Sequence, residues 1–464
     1  MKYRYRLLTI MVCVCFMACN SSENEEYKSL SPEEGEELSG GSSTVFNESP
    51  EAFGFASKDL TVDEAADFAV GNSFFRQSWI SAPSSTTARD GLGPFFNANA
   101  CASCHFKDGR GRPPMADGEL GRGLLLRLSL PGTNPNGSSF PEPAYGSQLQ
   151  DNAILGQTVK GNYTITYQIT TETLADGTVV ELQKPIYHII NLGYGALATG
   201  VLVSPRVANQ MVGMGLLEAV PESTILAFAA NSNNGVSGKA NYVYDIQSNS
   251  QKLGRFGWKA NQPSVRQQVA GAFSGDMGIT TSLFPNENCP PGVDCGAIPN
   301  GGSPEISDAN FNRVVLYSSA LAVPVRRNYA SQDVLKGKKI FEEINCTSCH
   351  IAKMQTGNDH PIAGLRNQTI RPFTDMLLHD MGDELADGAP DFLATGNEWR
   401  TQPLWGIGLI NTVNGHTKLL HDGRARNVTE AILWHGGEAQ ASKNKFKQLS
   451  ATDRNQLLAF INSL

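Results

Sequence analysis

The chain contains no apolar run long enough to cross a bilayer, no block of lysine and arginine, and few histidines and tryptophans. Its longest apolar stretch, residues 7–17, is about eleven residues, whereas a spanning helix needs roughly twenty. The missing basic block and a net charge of -8 argue against nucleic acid as a partner. Charged residues make up 18% and hydrophobic ones 40%, which excludes an extended, charge-solvated chain and fits a folded one. With 464 residues, two or more domains with real cores are expected. Glycine (46) and proline (24) are not scarce, so much of the chain should be loops and short elements. No internal repeat appears beyond one five-residue motif that occurs twice.

The first eighteen residues look like an address rather than part of the fold. Lys2, Arg4 and Arg6 precede the short apolar stretch, as in a secretion signal. The stretch ends in Phe16-Met17-Ala18-Cys19, which resembles a bacterial lipobox, so residues 1–18 should be removed and Cys19 lipidated. Residues 19–50 then read as an acidic, serine-rich tether, with Glu23, Glu25 and Glu26 near its start. The expected product is an exported lipoprotein, periplasm-facing or at the outer membrane or cell surface, with a lipid anchor as its membrane contact.

Of nine cysteines, Cys13 and Cys15 leave with the signal and Cys19 takes lipid. Cys289 and Cys295 flank Pro-Pro-Gly-Val-Asp, a tight turn, and should be bridged in an oxidising compartment. The other four form Cys101-Ala-Ser-Cys104-His105 and Cys346-Thr-Ser-Cys349-His350. In CxxCH, two thiols add to the vinyl groups of a haem and the adjacent histidine becomes an axial ligand of the iron. At this composition about 0.003 chance occurrences are expected, so two point to two covalently bound c-type haems. A single four-cysteine zinc site is the competing reading. The pairs lie 245 residues apart, and zinc gives no reason for a histidine after each.

Around the second motif, Val334, Gly337, Ile340 and Phe341 share one helical face, which predicts a helix packed beside the haem. Residues 141–200 look strand-rich: residues 163–169 alternate and Asp176-Gly177 signals a hairpin. Residues 205–230 predict two helices broken near Pro221, and residues 231–310 appear irregular. Residues 450–464 predict a helix capped by Ser450 or Thr452. The expected fold is mainly α with irregular loops and a small β portion. It comprises two cytochrome c-like haem domains: residues 51–330, enlarged by insertions, and residues 331–464.

Each haem has a second face to account for. Outside the motifs the histidines are 188, 360, 379, 416, 421 and 435, and five of the six follow the second motif. Asn427 with Glu430 predicts a capped helix running to about His435, where Gly436 and Gly437 stop it. His435 at that terminus is the candidate second ligand of the C-terminal haem. A cationic partner for the negative helix end is the plainer alternative. No histidine lies between His105 and His188, so the N-terminal haem is either open or closed by Met115 or a tyrosine. Arg110 and Arg112 are candidates for haem propionates, and His379, His421 and Arg424 for the edge of the C-terminal haem. Trp258, Trp405 and Trp434 are possible electron relays, although core packing explains each as well.

The His421-Asp422-Gly423 motif and the short helix after it resemble the C-terminal domain of bacterial dihaem cytochrome c peroxidases. In that pattern His435 stands where those enzymes place a methionine ligand. A fuller resemblance is to dihaem oxidoreductases regarded as peroxidases or thiol oxidoreductases. It is carried by residues 95–105, 108–114, 213–221, 377–382, 400–406 and 421–439. The resemblance implies reduction of peroxide or a related small oxidant at the N-terminal haem. Electrons from a small redox donor would pass through the C-terminal haem. It also suggests Glu218 as the acid–base carboxylate. A purely electron-transferring dihaem protein, or a redox accessory to iron uptake, would carry the same two motifs.

Overall fold

The computed structural model describes residues 30–115, 119, 121–230 and 235–464. The expected signal segment and Cys19 lie outside these residues. No described helix is long and apolar enough to cross a membrane.

The helices in chain order are α1 (Val62–Arg76), α2 (Cys101–Cys104), α3 (Met214–Glu218), α4 (Glu222–Ala230), α5 (Val265–Met277), α6 (Asp308–Ala320), α7 (Gln332–Glu343), α8 (Ile410–Asn414), α9 (Val428–Trp434), α10 (Gln440–Gln448) and α11 (Ala451–Ser463). Local chemistry starts many of them. Thr61 and Glu64 form a capping box on α1, and the hydroxyls of Ser264, Ser307, Ser331 and Ser450 accept the amides that open α5, α6, α7 and α11.

The expectation of a mainly α fold is corrected: the protein is mixed, with 30% helix and 19% strand in several small sheets. Leu124–Thr133 pairs on one side with Ser139–Phe140 and on the other with Leu202–Val207. Asn162–Thr173 and Val179–Ile190 form one long antiparallel hairpin. The β content was underestimated because most strands are two to four residues long, too short to show alternation, and some, such as Phe95–Phe96 with Asn152–Ala153, are fixed by partners remote in sequence. Residues 231–310, expected to be irregular, contain α5 and the hairpin of Tyr242–Asp245 with Ser250–Leu253. Two glycines on α5 hide its helical signal.

Two large apolar cores hold the molecule, and both draw on residues from each side of position 330. One packs Phe53, Phe75, Phe273 and Tyr317 with Ile370, Trp405 and Val413. The other packs Leu124, Leu182 and Trp258 with Phe341, Leu433 and Phe460. The tether reading is corrected for residues 30–50. Glu36 is buried, paired with Arg326 and with Lys338 at 2.8 Å, and Val45 bridges to Pro324. A solvated tether would leave that carboxylate in water, whereas here two cations compensate its burial.

Candidate functional site: a cavity joining two CxxCH motifs

The first motif begins on α2, and His105 follows at its C-terminal end. The His105 Nδ1–H donates to the Asn209 carbonyl at 2.7 Å, which leaves Nε2 with its lone pair free. Phe75 packs against the imidazole, ring centroids 6.1 Å apart. Gly123 lets the chain pass close by: a Cβ there would stand 2.9 Å from Cys104 Cβ, on a backbone with φ +72. Burial, helped by Asp276, pushes the Cys101 thiol up to about 12, and Cys104 shifts the same way.

The second motif follows α7. Phe341, on the buried face of that helix, sits 6.1 Å from the His350 ring and 5.1 Å from Phe460. The His350 Nδ1–H donates to the Phe373 carbonyl at 2.9 Å, again freeing Nε2. His435 caps the C-terminus of α9, and its Nδ1–H donates to the Ala431 carbonyl at 2.6 Å. Burial lowers His350 to about 4, and His435, close enough to act on it, pushes in the same direction. Asn427 caps α9 by accepting the Glu430 amide, but the Glu430 carboxylate reaches back one residue further than expected, to the Arg426 amide at 2.9 Å.

All four motif cysteines, His105, His350 and His435 open onto one continuous, mostly apolar cavity of about 690 Å³. Helix α5 presents Gly271, Ala272 and Gly275 to it. A Cβ on Gly271 or Gly275 would meet nothing nearer than 3.9 or 3.6 Å respectively, so this wall is a smooth shelf with room for a flat ring. Arg110, Arg127, Arg206 and Arg400 also border the cavity, and Arg400 Nη1 is buried without a hydrogen-bond partner. A buried guanidinium with a free donor calls for an anion. Paired thiols, histidines with free Nε2 atoms, a flat apolar shelf and a buried guanidinium nitrogen left without a partner together fit haem groups with their propionates.

The other expected site residues divide. Arg110 is in the wall: its Nε donates to Lys418 O at 2.9 Å and its guanidinium lies 5.0 Å from the Trp258 ring. Arg112 is corrected, because it pairs with Glu119 away from the cavity. His379 is in the wall between Asp375 and Glu438, each at 2.8 Å. Burial alone would lower its pKa, but its hydrogen bonds, to Asp375 first, raise it to about 12. It is a standing cation. His421 is in the wall, stacked on Trp399 at 3.8 Å, and burial lowers it to about 4, so it is neutral. Arg424 is not; it pairs with Asp422 at 2.8 Å and lies over Trp434.

Glu218 is also corrected. It lies outside the cavity wall, where Oε1 accepts the Val265 amide at 2.8 Å and Oε2 lies 3.4 Å from His360 Nε2. Its carboxylate is used at the start of α5. Met115 is exposed and does not line the cavity. Of the three tryptophans considered, only Trp258 reaches the wall, donating through Nε1 to Val207 O at 2.8 Å. Sequence reasoning missed Trp399, Arg127, Arg206, Asp276 and Glu287, all on the wall. Trp399 directly precedes the 400–406 stretch already singled out, which was the available signal. The others had none, being isolated in ordinary context. Cys289 and Cys295 are joined as a disulfide.

The family described as "Di-haem oxidoreductase, putative peroxidase" matches residues 35–464. The chain belongs to that family of two-haem oxidoreductases. Comparison with curated proteins finds no match.

Proposed function

We propose that the protein is an exported, lipid-anchored dihaem c-type oxidoreductase that reduces peroxide or a related small oxidant at its N-terminal haem site, with electrons relayed through the C-terminal one. When bound, the haems supply the iron centres and the one-electron steps. The chain supplies the rest. Cys101 and Cys104, and Cys346 and Cys349, would be the attachment thiols, and His105 and His350 would each offer Nε2 to an iron. His435 would offer a second Nε2 on the His350 side, and a centre closed in that way would suit storing and passing electrons. No other histidine acts on His105, whose ionisable neighbour is Asp276. That side is the one left for a small oxidant. Arg400, with one buried guanidinium nitrogen left without a partner, would hold a haem carboxylate in this low-dielectric wall, and Trp258 and Trp399 line the same cavity.

The observation that carries this reading is the convergence of both motifs and His435 on one cavity. Electron paramagnetic resonance of the oxidised, haem-loaded protein tests it. One low-spin and one high-spin iron are expected, with peroxide consumed after one-electron reduction. Two low-spin irons with no peroxide reaction would replace it with a pure electron-transfer role.

A further inference from the structure

Residues 30–39 are bound along their length to the part of the chain that carries the second motif. Gln332 Nε2 donates to the Leu30 carbonyl at 3.1 Å. Glu33 pairs with Lys353, three residues beyond His350, and Arg371 Nη2 donates to the Glu34 carbonyl at 3.2 Å. Glu36 is buried between Arg326 and Lys338. The Arg326 amide donates to the Glu37 carbonyl at 2.9 Å, and the Arg371 amide to the Ser39 carbonyl at 2.8 Å. Two residues past Arg371, the Phe373 carbonyl holds the His350 ring. The segment is therefore a strap packed behind the His350 side of the second haem site. Pulling it away would strand a buried carboxylate and its two cations, so it stays where it lies.

Covalent geometry limits where such a strap can be tethered. Cys19 and Leu30 are eleven residue steps apart. At no more than about 3.4 Å per step, the connection reaches about 37 Å whatever its conformation. A compact chain of this length is about 60 Å across, so the path over its surface is about 45 Å for a quarter turn and about 90 Å to the opposite face. With Cys19 held in a membrane, the connection is too short by more than half for the far face to lie on the lipid. Only the strap's side of the molecule is within reach.

We propose that the protein turns the face formed by the strap and Lys353 toward the lipid surface, with the second haem site on the membrane side. The inference rests on the lipid-anchor reading of Cys19. It puts the His350 centre on the side from which a membrane-held electron donor would approach.

The test uses the acylated, haem-loaded full chain in vesicles of phosphatidylethanolamine and phosphatidylglycerol doped with a gadolinium-chelating headgroup. Single nitroxide labels are placed at exposed positions through Glu34→Cys on the strap, Lys353→Cys beside it, and Leu155→Cys. Leu155 is fully exposed next to the strand pair of Phe95–Phe96 with Asn152–Ala153. Relaxation of the nitroxide by gadolinium falls steeply with distance, so it should be several-fold faster at 34 and 353 than at 155. Should loss of the Glu33 pair disturb the haem spectrum of Lys353→Cys, the comparison of Glu34→Cys with Leu155→Cys decides. Equal relaxation at the labelled positions, or the fastest at 155, overturns the orientation and leaves the anchor standing. Mass spectrometry of the same preparation tests the anchor separately: a Cys19 without acyl chains removes the anchor reading, and the orientation falls with it.

Discussion

Replacing Gly337 with alanine sets two effects of known size against each other at the base of the second haem site. Alanine is the better helix former by about 1 kcal/mol, and Gly337 lies inside α7. Helix α11 crosses at this point. A Cβ on Gly337 would stand 1.9 Å from the Gln456 carbonyl oxygen and 2.7 Å from Phe460 Cβ, where real contacts do not fall below 3.0 Å. The obstacle is the backbone of a neighbouring helix, which has no rotamer to change, so the two helices must separate by roughly 1 Å in a close-packed core. Overpacking of that kind costs about 1–3 kcal/mol, and contact with rigid backbone places this site at the upper end. Packing therefore outweighs propensity, and a net loss of about 2 kcal/mol is expected. Because Phe341 rides on α7 against His350, the damage should be local. Urea unfolding, followed by the absorbance of each haem, should show a lower midpoint and a perturbed C-terminal centre beside an unchanged N-terminal one. A Gly337→Ala protein as stable as its parent, or more so, would refute the reasoning.

His435→Ala should turn the C-terminal haem high-spin and leave the N-terminal spectrum unchanged; identical resonance spectra before and after would remove His435 from the iron. Lys259 is fully buried on Asp387 at 2.8 Å and donates to the Ala389 and Thr395 carbonyls, so Lys259→Met should cost about 3–5 kcal/mol by stranding a buried carboxylate. Lys259→Met with Asp387→Leu should recover much of that loss in thermal unfolding, and a double variant no better than the single one would contradict it. His379, raised to about 12 in the fold, stabilises fully at pH below its unfolded value of about 6.5 and loses that contribution as pH climbs towards 12. Stability measured against pH should therefore fall less steeply over the alkaline range in His379→Gln than in the parent, and parallel curves would refute the assignment.

Chemistry that is local in sequence was legible without a structure. Two CxxCH motifs are read directly, because thioether attachment and axial ligation require adjacent residues. The α9 cap at Asn427, the hairpin turn at Asp176-Gly177, the helix opened by Ser450 and the stop after His435 follow from side chains that act within a turn of their own backbone. What the tertiary structure decided are relations between distant residues. Glu218 and Glu287 are both plain glutamates in the sequence. One is spent on the amide of Val265, and the other lines the cavity. Arg110 reaches the cavity and Arg112, two residues on, turns away to Glu119. Trp399 matters because His421 stacks on it from another segment. Part of the β content followed the same rule, since Phe95–Phe96 is a strand only through Asn152–Ala153, far along the chain. Local covalent and capping chemistry is written in order along the sequence, whereas desolvation, charge neighbours and cavity walls are set by which segments the fold brings together.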